Sequence, residues 1–230
     1  MFTVHHLTQS RSQRIVWLLE LTNVEYQIVP YARDRETNLA PNELKKIHPL
    51  GAAPVLVHND TVLAESGAIC EYILQQTSTT QDTSTQKSGL LPPREQQAYI
   101  DVQFWSHFAE GSFAPPLVAS LVLSKVKVKA PWLIRPIAIK LADAIMGAYY
   151  GKVIARNLAF IENHLQSNTW FVGDSITLAD VQMSFGMERV YNAGMISAFP
   201  TMCAYVERLL AEPSFQQAKR KIEDAEASLE

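Results

Sequence analysis

Ser10, Arg11, Ser12 and Arg14 stand together in HHLTQSRSQRIVWLLEL, residues 5–21, where an apolar strand pattern passes into a periodic helix. A strand that enters a helix through a polar turn leaves the first backbone N–H groups of that helix without intrahelical partners. Hydroxyls and guanidiniums at such a junction suit an anion. Ser10 or Ser12 also fits the ordinary role of an N-cap, which is worth about 1 kcal/mol.

Two further stretches could join that turn. In GAAPVLV, residues 51–57, Pro54 directly precedes a strand, where its missing N–H costs no ladder bond. A cis bond at Ala53-Pro54 would turn the Ala53 and Val55 backbone toward a peptide-like ligand, although only about 5–6% of X-Pro bonds are cis. In AESGAI, residues 64–69, a strand ends and a helix begins with a carboxylate beside a hydroxyl. Glu65 suits an ammonium, while the Ser66 hydroxyl and the free N–H groups suit a carboxylate; a plain helix cap is the alternative. A small zwitterionic ligand satisfies both.

The elements that must position these residues are legible in outline. FTVHHL reads as a strand, SQRIVWLLELTN as a helix with Ile15, Leu18, Leu19 and Thr22 on one face, and YQIVPY as a second strand. PNELKKIH reads as a short helix opened by Pro41. VLVH-ND-TVLA reads as a hairpin and ESGAICEYILQQT as a third helix. The order βαβαββα predicts an α/β domain over residues 1–78, a mixed sheet covered by helices. TSTTQDTSTQKSGLLPP is polar and Pro-terminated, so residues 79–93 read as a linker. Residues 94–230 read as an all-helical domain, with Tyr99, Phe104, Trp105, Phe108 and Phe113 mostly as ordinary core.

Composition excludes several classes. The chain has 230 residues, 47% hydrophobic and 19% charged, with net charge −3, enough for one large or two small cores. That balance argues against a nucleic-acid partner, which needs a concentrated basic face. No run of about 18 apolar residues exists to span a bilayer, and MFTVHHL does not read as a signal peptide. Cys70 and Cys203 lack zinc or CxxC spacing and read as two buried thiols in a reducing compartment, hence the cytoplasm; no metal is expected. His5 and His6 alternate across a strand, so at most one faces a ligand, and a structural histidine is expected. Residues 111–142 carry Lys125, Lys127, Lys129, Arg135 and Lys140 but no Asp or Glu. Pro131 and Pro136 are expected to break any helix there. The apolar side is expected to pack on the domain or over a substrate site, with peripheral contact to an anionic membrane as the alternative.

SRSQR after a first strand, AAPVL before a third, ESGAICEYI opening a third helix, and FVGDSITLADVQMSF, residues 171–185, together resemble the glutathione transferases over essentially the whole chain. HHL…SRSQR…WLLE is similar to the serine-type members from fungi and bacteria. The resemblance implies a thioredoxin-like domain followed by a helical domain, a homodimer, glutathione as co-substrate, a small hydrophobic electrophile, and no metal. It implies Ser10 as the catalytic serine, Pro54 as a cis-proline with Ala53 and Val55 offering backbone groups, and Glu65 with Ser66 holding the γ-glutamyl end. Thr177 and Asp180 form a capping box, with Ile176 and Val181 as its staple, structural in this family. The chain departs from the pattern in Gly51-Ala52-Ala53, which has no Lys or His for the glycine carboxylate of glutathione; Asn38, Lys45 and His48 remain open for that role. Gly67 replaces an Arg found in some members, and no Cys lies near residue 10. A non-catalytic protein-binding module and glutathione-dependent peroxide reduction are the alternatives. Energetically a hydroxyl suffices. Half-ionising a thiol of pKa about 8.5 at pH 7 needs roughly 2 kcal/mol, a hydrogen bond to a charged acceptor gives about 1.5–3, and a helix N-terminus about 0.3–1.

Overall fold

A computed structural model describes residues 1–78 and 89–229. Strands β1 (Phe2–Leu7), β2 (Tyr26–Tyr31), β3 (Val55–His58) and β4 (Thr61–Ala64) form one sheet in the order β2-β1-β3-β4. β1 runs parallel to β2 and antiparallel to β3, and β3 pairs antiparallel with β4. Pro30 falls on the edge strand, where its missing donor is tolerated. Asn59, at φ 53°, turns the β3–β4 hairpin.

Helix α1 (Ser12–Thr22) buries more than one face. Val16 and Trp17 are as fully enclosed as Ile15, Leu18 and Leu19. It lies between the sheet and the helical half, and Trp17 donates its indole N–H to Ser214 at 2.9 Å. Helix α2 (Leu44–Ile47) is shorter than the sequence stretch opened by Pro41, and α3 (Ser66–Ser78) follows β4 directly.

Helix α4 (Gln97–Phe108) passes through a π-helical turn, Ala109–Phe113, into α5 (Ala114–Lys129). Helix α6 (Arg135–Ile145) passes likewise through Met146–Tyr150 into α7 (Gly151–Leu165). Helices α8 (Leu178–Asn192), α9 (Pro200–Ala211) and α10 (Pro213–Glu226) complete the helical half. Gly186 on α8 admits the Phe113 ring, since a Cβ there would stand 2.8 Å from Phe113 Cε1. Buried residues of the two halves form one continuous core.

Most of the segment read as a linker, residues 79–88, lies outside the described residues. Two expectations change. Pro136 does not break a helix but sits in the first turn of α6, where a missing N–H is harmless. The apolar side of the α5–α6 hairpin is not packed away: Trp132 is 77% exposed, Leu133 70% and Ile137 68%. No described helix is long and apolar enough to cross a membrane.

Candidate active site

Sheet topology brings the three stretches to one end. Val55 is in register with both His5 on β1 and Ala64 on β4. The exit from β1, the entry to β3 and the exit from β4 therefore share one end of the sheet. These carry the Ser10 turn, the Ala53-Pro54 bond, which is cis, and the Glu65-Ser66 pair. β2 runs parallel to β1, so the loop bearing Asn38 leaves from the same end. Gln9 (φ 53°), Asn38 (φ 61°) and Glu65 (φ 72°) all occupy the left-handed region there. Asn adopts that conformation readily, but Gln9 and Glu65 hold it at a steric cost that their surroundings must offset, and such residues gather at ligand sites.

Arg33 supplies part of that constraint. It donates to the carbonyls of Thr8 at 3.0 Å, Gln9 at 3.2 Å and Asn38 at 3.1 Å. One guanidinium thus fixes the turn before Ser10 and the Asn38 loop together.

Neither serine of the turn caps α1 in the usual way, because the N-cap position is Arg11. Instead the Ser10 hydroxyl lies 2.6 Å from the Ser12 hydroxyl and accepts the Ser12 backbone N–H at 3.3 Å. Ser12 Oγ lies 2.7 Å from His6 Nδ1, and His6 Nε2 lies 2.9 Å from a Glu226 carboxylate oxygen. Ser10, Ser12 and His6 are all buried. Burial lowers the His6 pKa below its ordinary value, against the opposing pull of Glu226. His5 points to the other face, bonding Tyr31 at 2.9 Å.

Arg14 is buried and reaches across to α3, donating to the Ser66 hydroxyl at 3.3 Å. The same guanidinium pairs with Glu110 of the helical half, as does Arg11 at 2.9 Å. Burial lowers the Arg14 pKa, opposed by Glu110. Glu65 is exposed. Next to the cis bond, the Lys45 stem lies against Gly51, where an added Cβ would stand 2.6 Å from Lys45 Cγ. His48 is partly committed, its Nδ1 accepting the Leu50 N–H at 3.2 Å.

Burial pushes the Cys70 thiol up to about 12, which makes it inert near neutral pH. Cys203 is only partly buried. Among the described residues no group of His, Cys, Asp or Glu is arranged to hold a metal ion.

Sequence reasoning did not find Ser12's bridging position, the partnership of His6 with Glu226, Arg33 or Glu110. Ser12 and His6 carried a faint signal in their nearness to Ser10. Glu226 carried none, being 220 residues from its partner.

Residues 2–75 match the family model described as the glutathione S-transferase N-terminal domain, and residues 151–213 match the C-terminal domain of the same family. Glutathione S-transferase 1 of Saccharomyces cerevisiae is 34% identical, covering 95% of this chain and 94% of its own. A crystal structure of a glutathione S-transferase from Actinobacillus pleuropneumoniae superposes with TM-score 0.77 at 30% identity, covering 97% of this chain and 93% of that one. Elongation factor 1-gamma 2 of Oryza sativa subsp. japonica is 26% identical over 90% of this chain, which spans 46% of that protein.

Proposed function

The chain belongs to the glutathione S-transferase family, and on that footing we propose that it ionises the glutathione thiol at Ser10 and adds the sulfur to a small hydrophobic electrophile. The observation that carries this reading is a buried Ser10 hydroxyl at the sheet end where the cis Ala53-Pro54 bond and the Glu65-Ser66 pair also lie. Ser10 is a donor to sulfur, and the thiolate performs the attack. Ala53 and Val55 pair their backbone groups with the cysteinyl unit beside Pro54. Glu65 takes the γ-glutamyl ammonium. Ser66, at the start of α3, takes the adjoining carboxylate with the help of the helix N-terminus. For the glycine carboxylate, Lys45 is the better placed of the three open candidates: its stem already lies on Gly51, whereas His48 has its Nδ1 engaged by the Leu50 N–H and Asn38 carries no charge.

Residues 1–78 serve as the glutathione-binding domain and residues 94–230 supply the electrophile side. Cytoplasmic location and a homodimer complete the proposal, with exposed Val62, Ile100 and Phe104 as apolar surface for a partner copy. The elongation-factor relative supports a second reading, a module that binds protein without catalysis. Calorimetric titration with glutathione separates the two. The enzyme reading expects saturable binding of one tripeptide per chain, weakened on removal of the Glu65 carboxylate. No heat of binding at millimolar glutathione would leave the module.

A further inference from the structure

The hydrogen positions in the Ser10-Ser12-His6-Glu226 row follow from its chemistry. A carboxylate has no proton to give, so His6 Nε2 must carry the hydrogen that bonds Glu226 at 2.9 Å. In a neutral imidazole Nδ1 then holds a lone pair, and Ser12 must donate to it across 2.7 Å. Ser12 Oγ in turn accepts, so the Ser10 hydrogen points at Ser12 across 2.6 Å. The Ser12 N–H at 3.3 Å fills an acceptor site on Ser10. In this resting state the Ser10 hydrogen faces away from any incoming sulfur.

Turning that hydrogen toward a thiolate leaves an unfilled gap in the row. If Ser12 then turns to Ser10, two lone pairs confront each other between Ser12 and His6; if it does not, they confront each other between the serines. A buried confrontation of acceptors is costly. One change removes it: His6 Nδ1 gains a proton, donates to Ser12, Ser12 donates to Ser10, and Ser10 donates to sulfur.

We propose that His6, carried on Glu226, receives the glutathione thiol proton through Ser10 and Ser12. The proposal rests on the reading of Ser10 as the partner of the thiolate. The thiol S–H breaks and its proton binds Ser10 Oγ. The former Ser10 proton passes to Ser12 Oγ, and the former Ser12 proton to His6 Nδ1. Three bonds to hydrogen break and three form, the electron pair stays on sulfur, and a thiol with a neutral imidazole becomes a thiolate with an imidazolium. Glu226 is the charged side chain bonded to the ring. On α1 the ring meets Ser12, on β2 its register partner is Pro30, and the two guanidiniums at the start of α1, Arg11 and Arg14, are engaged with Glu110. Burial lowers the His6 pKa, so the resting ring is neutral, and the imidazolium formed by the transfer is held by the Glu226 carboxylate at 2.9 Å. His6, Ser12 and Glu226 touch no substrate atom and are positioning residues for Ser10.

The test follows the thiolate by its ultraviolet absorbance and the proton by calorimetry of glutathione binding at pH 7.5 in buffers of different ionisation heat. S-methylglutathione, which has no thiol, reports affinity alone. Wild type is expected to show the thiolate signal while releasing well under half a proton per site. His6→Gln, Ser12→Ala and the surface-accessible Glu226→Gln should each lower the thiolate fraction at pH 7 by about tenfold and shift the activity profile to higher pH. Affinity for S-methylglutathione should stay within about twofold. A full proton released by wild type, or pH profiles unmoved in all three variants, overturns the relay while leaving Ser10's role intact. Absence of glutathione binding or of a thiolate signal in wild type overturns both readings.

Discussion

Arg14 donates to the Ser66 hydroxyl at 3.3 Å from 52 residues away, which couples the start of α1 to the start of α3. The same guanidinium pairs with Glu110, so one buried cation joins two helix beginnings of the α/β half to the helical half. Removing one partner of a buried ion pair costs about 3–5 kcal/mol, but Glu110 is 37% exposed and keeps Arg11. Arg14→Met is therefore expected to cost nearer 2 kcal/mol, a fall of about 4–8 °C in Tm. Glutathione affinity should fall with it, because Ser66 loses its anchor. A stable variant with unchanged affinity, measured by thermal unfolding and calorimetry, would show that the Arg14 contact does not position Ser66.

Ser10→Ala removes a donor worth about 1.5–3 kcal/mol to a charged acceptor. The bound thiol pKa should rise by about 1–2 units, and kcat/KM at pH 6.5 should drop by about 10–100-fold. The glutathione Kd should hardly move, since the backbone and Glu65 contacts survive. The pH dependence of kcat/KM checks this, and an unshifted profile removes Ser10 from the chemistry.

Glu65 separates binding from folding. Its loss should weaken glutathione binding by about 10–100-fold, the worth of one charge-assisted bond. Because φ is 72° there, Glu65→Gly should match Glu65→Ala in binding yet melt higher, as glycine adopts that conformation without steric cost. If both variants bind glutathione like wild type, the ammonium is held elsewhere.

Short-range chemistry was legible in the sequence and long-range chemistry was not. The β3–β4 hairpin announced itself through Asn59-Asp60, and the Ser10 and Glu65 turns through residue types that suit helix starts. Arg33 carried no signal, because its carbonyl partners on Thr8 and Gln9 become neighbours only when β1 and β2 pair. Glu110 and Glu226 likewise gain their roles from tertiary packing that no periodicity encodes. Helix α1 misled in a different way. Its burial on several sides reflects α3, α8 and α10 packing around it as well as the sheet, so a one-face reading described only part of its environment.

His6 gives stability a definite pH slope. Burial holds its folded pKa below the unfolded value near 6.5. Between the two values the unfolded chain binds the extra proton, so stability is full above about pH 6.5 and declines as pH falls below it. His5 and His58 shift the same way, so the informative quantity is the difference between wild type and His6→Gln. Unfolding in denaturant at pH 7.5 and pH 5.5 should show a smaller loss on acidification for the variant. Equal losses would mean that His6 titrates alike in both states.

Asp180 sets the last expectation, for a motif assigned to structure alone. Its carboxylate accepts the Phe171 N–H at 2.9 Å, the Thr177 N–H at 2.8 Å, the Thr177 hydroxyl at 3.1 Å and the Tyr205 hydroxyl at 3.1 Å. Burial nevertheless pushes its pKa up to about 6, outweighing those donors. A raised carboxyl pKa means the folded state holds the proton longer, so this group's contribution is greatest below about pH 4 and is lost as pH rises through 6. Thr177→Ala removes a cap worth about 1 kcal/mol and, with it, one donor to the ionised form. The variant's destabilisation should therefore be larger at pH 7.5 than at pH 5, while the folded fraction keeps its specific activity. A fall in activity with Tm unchanged would instead place the box in the chemistry.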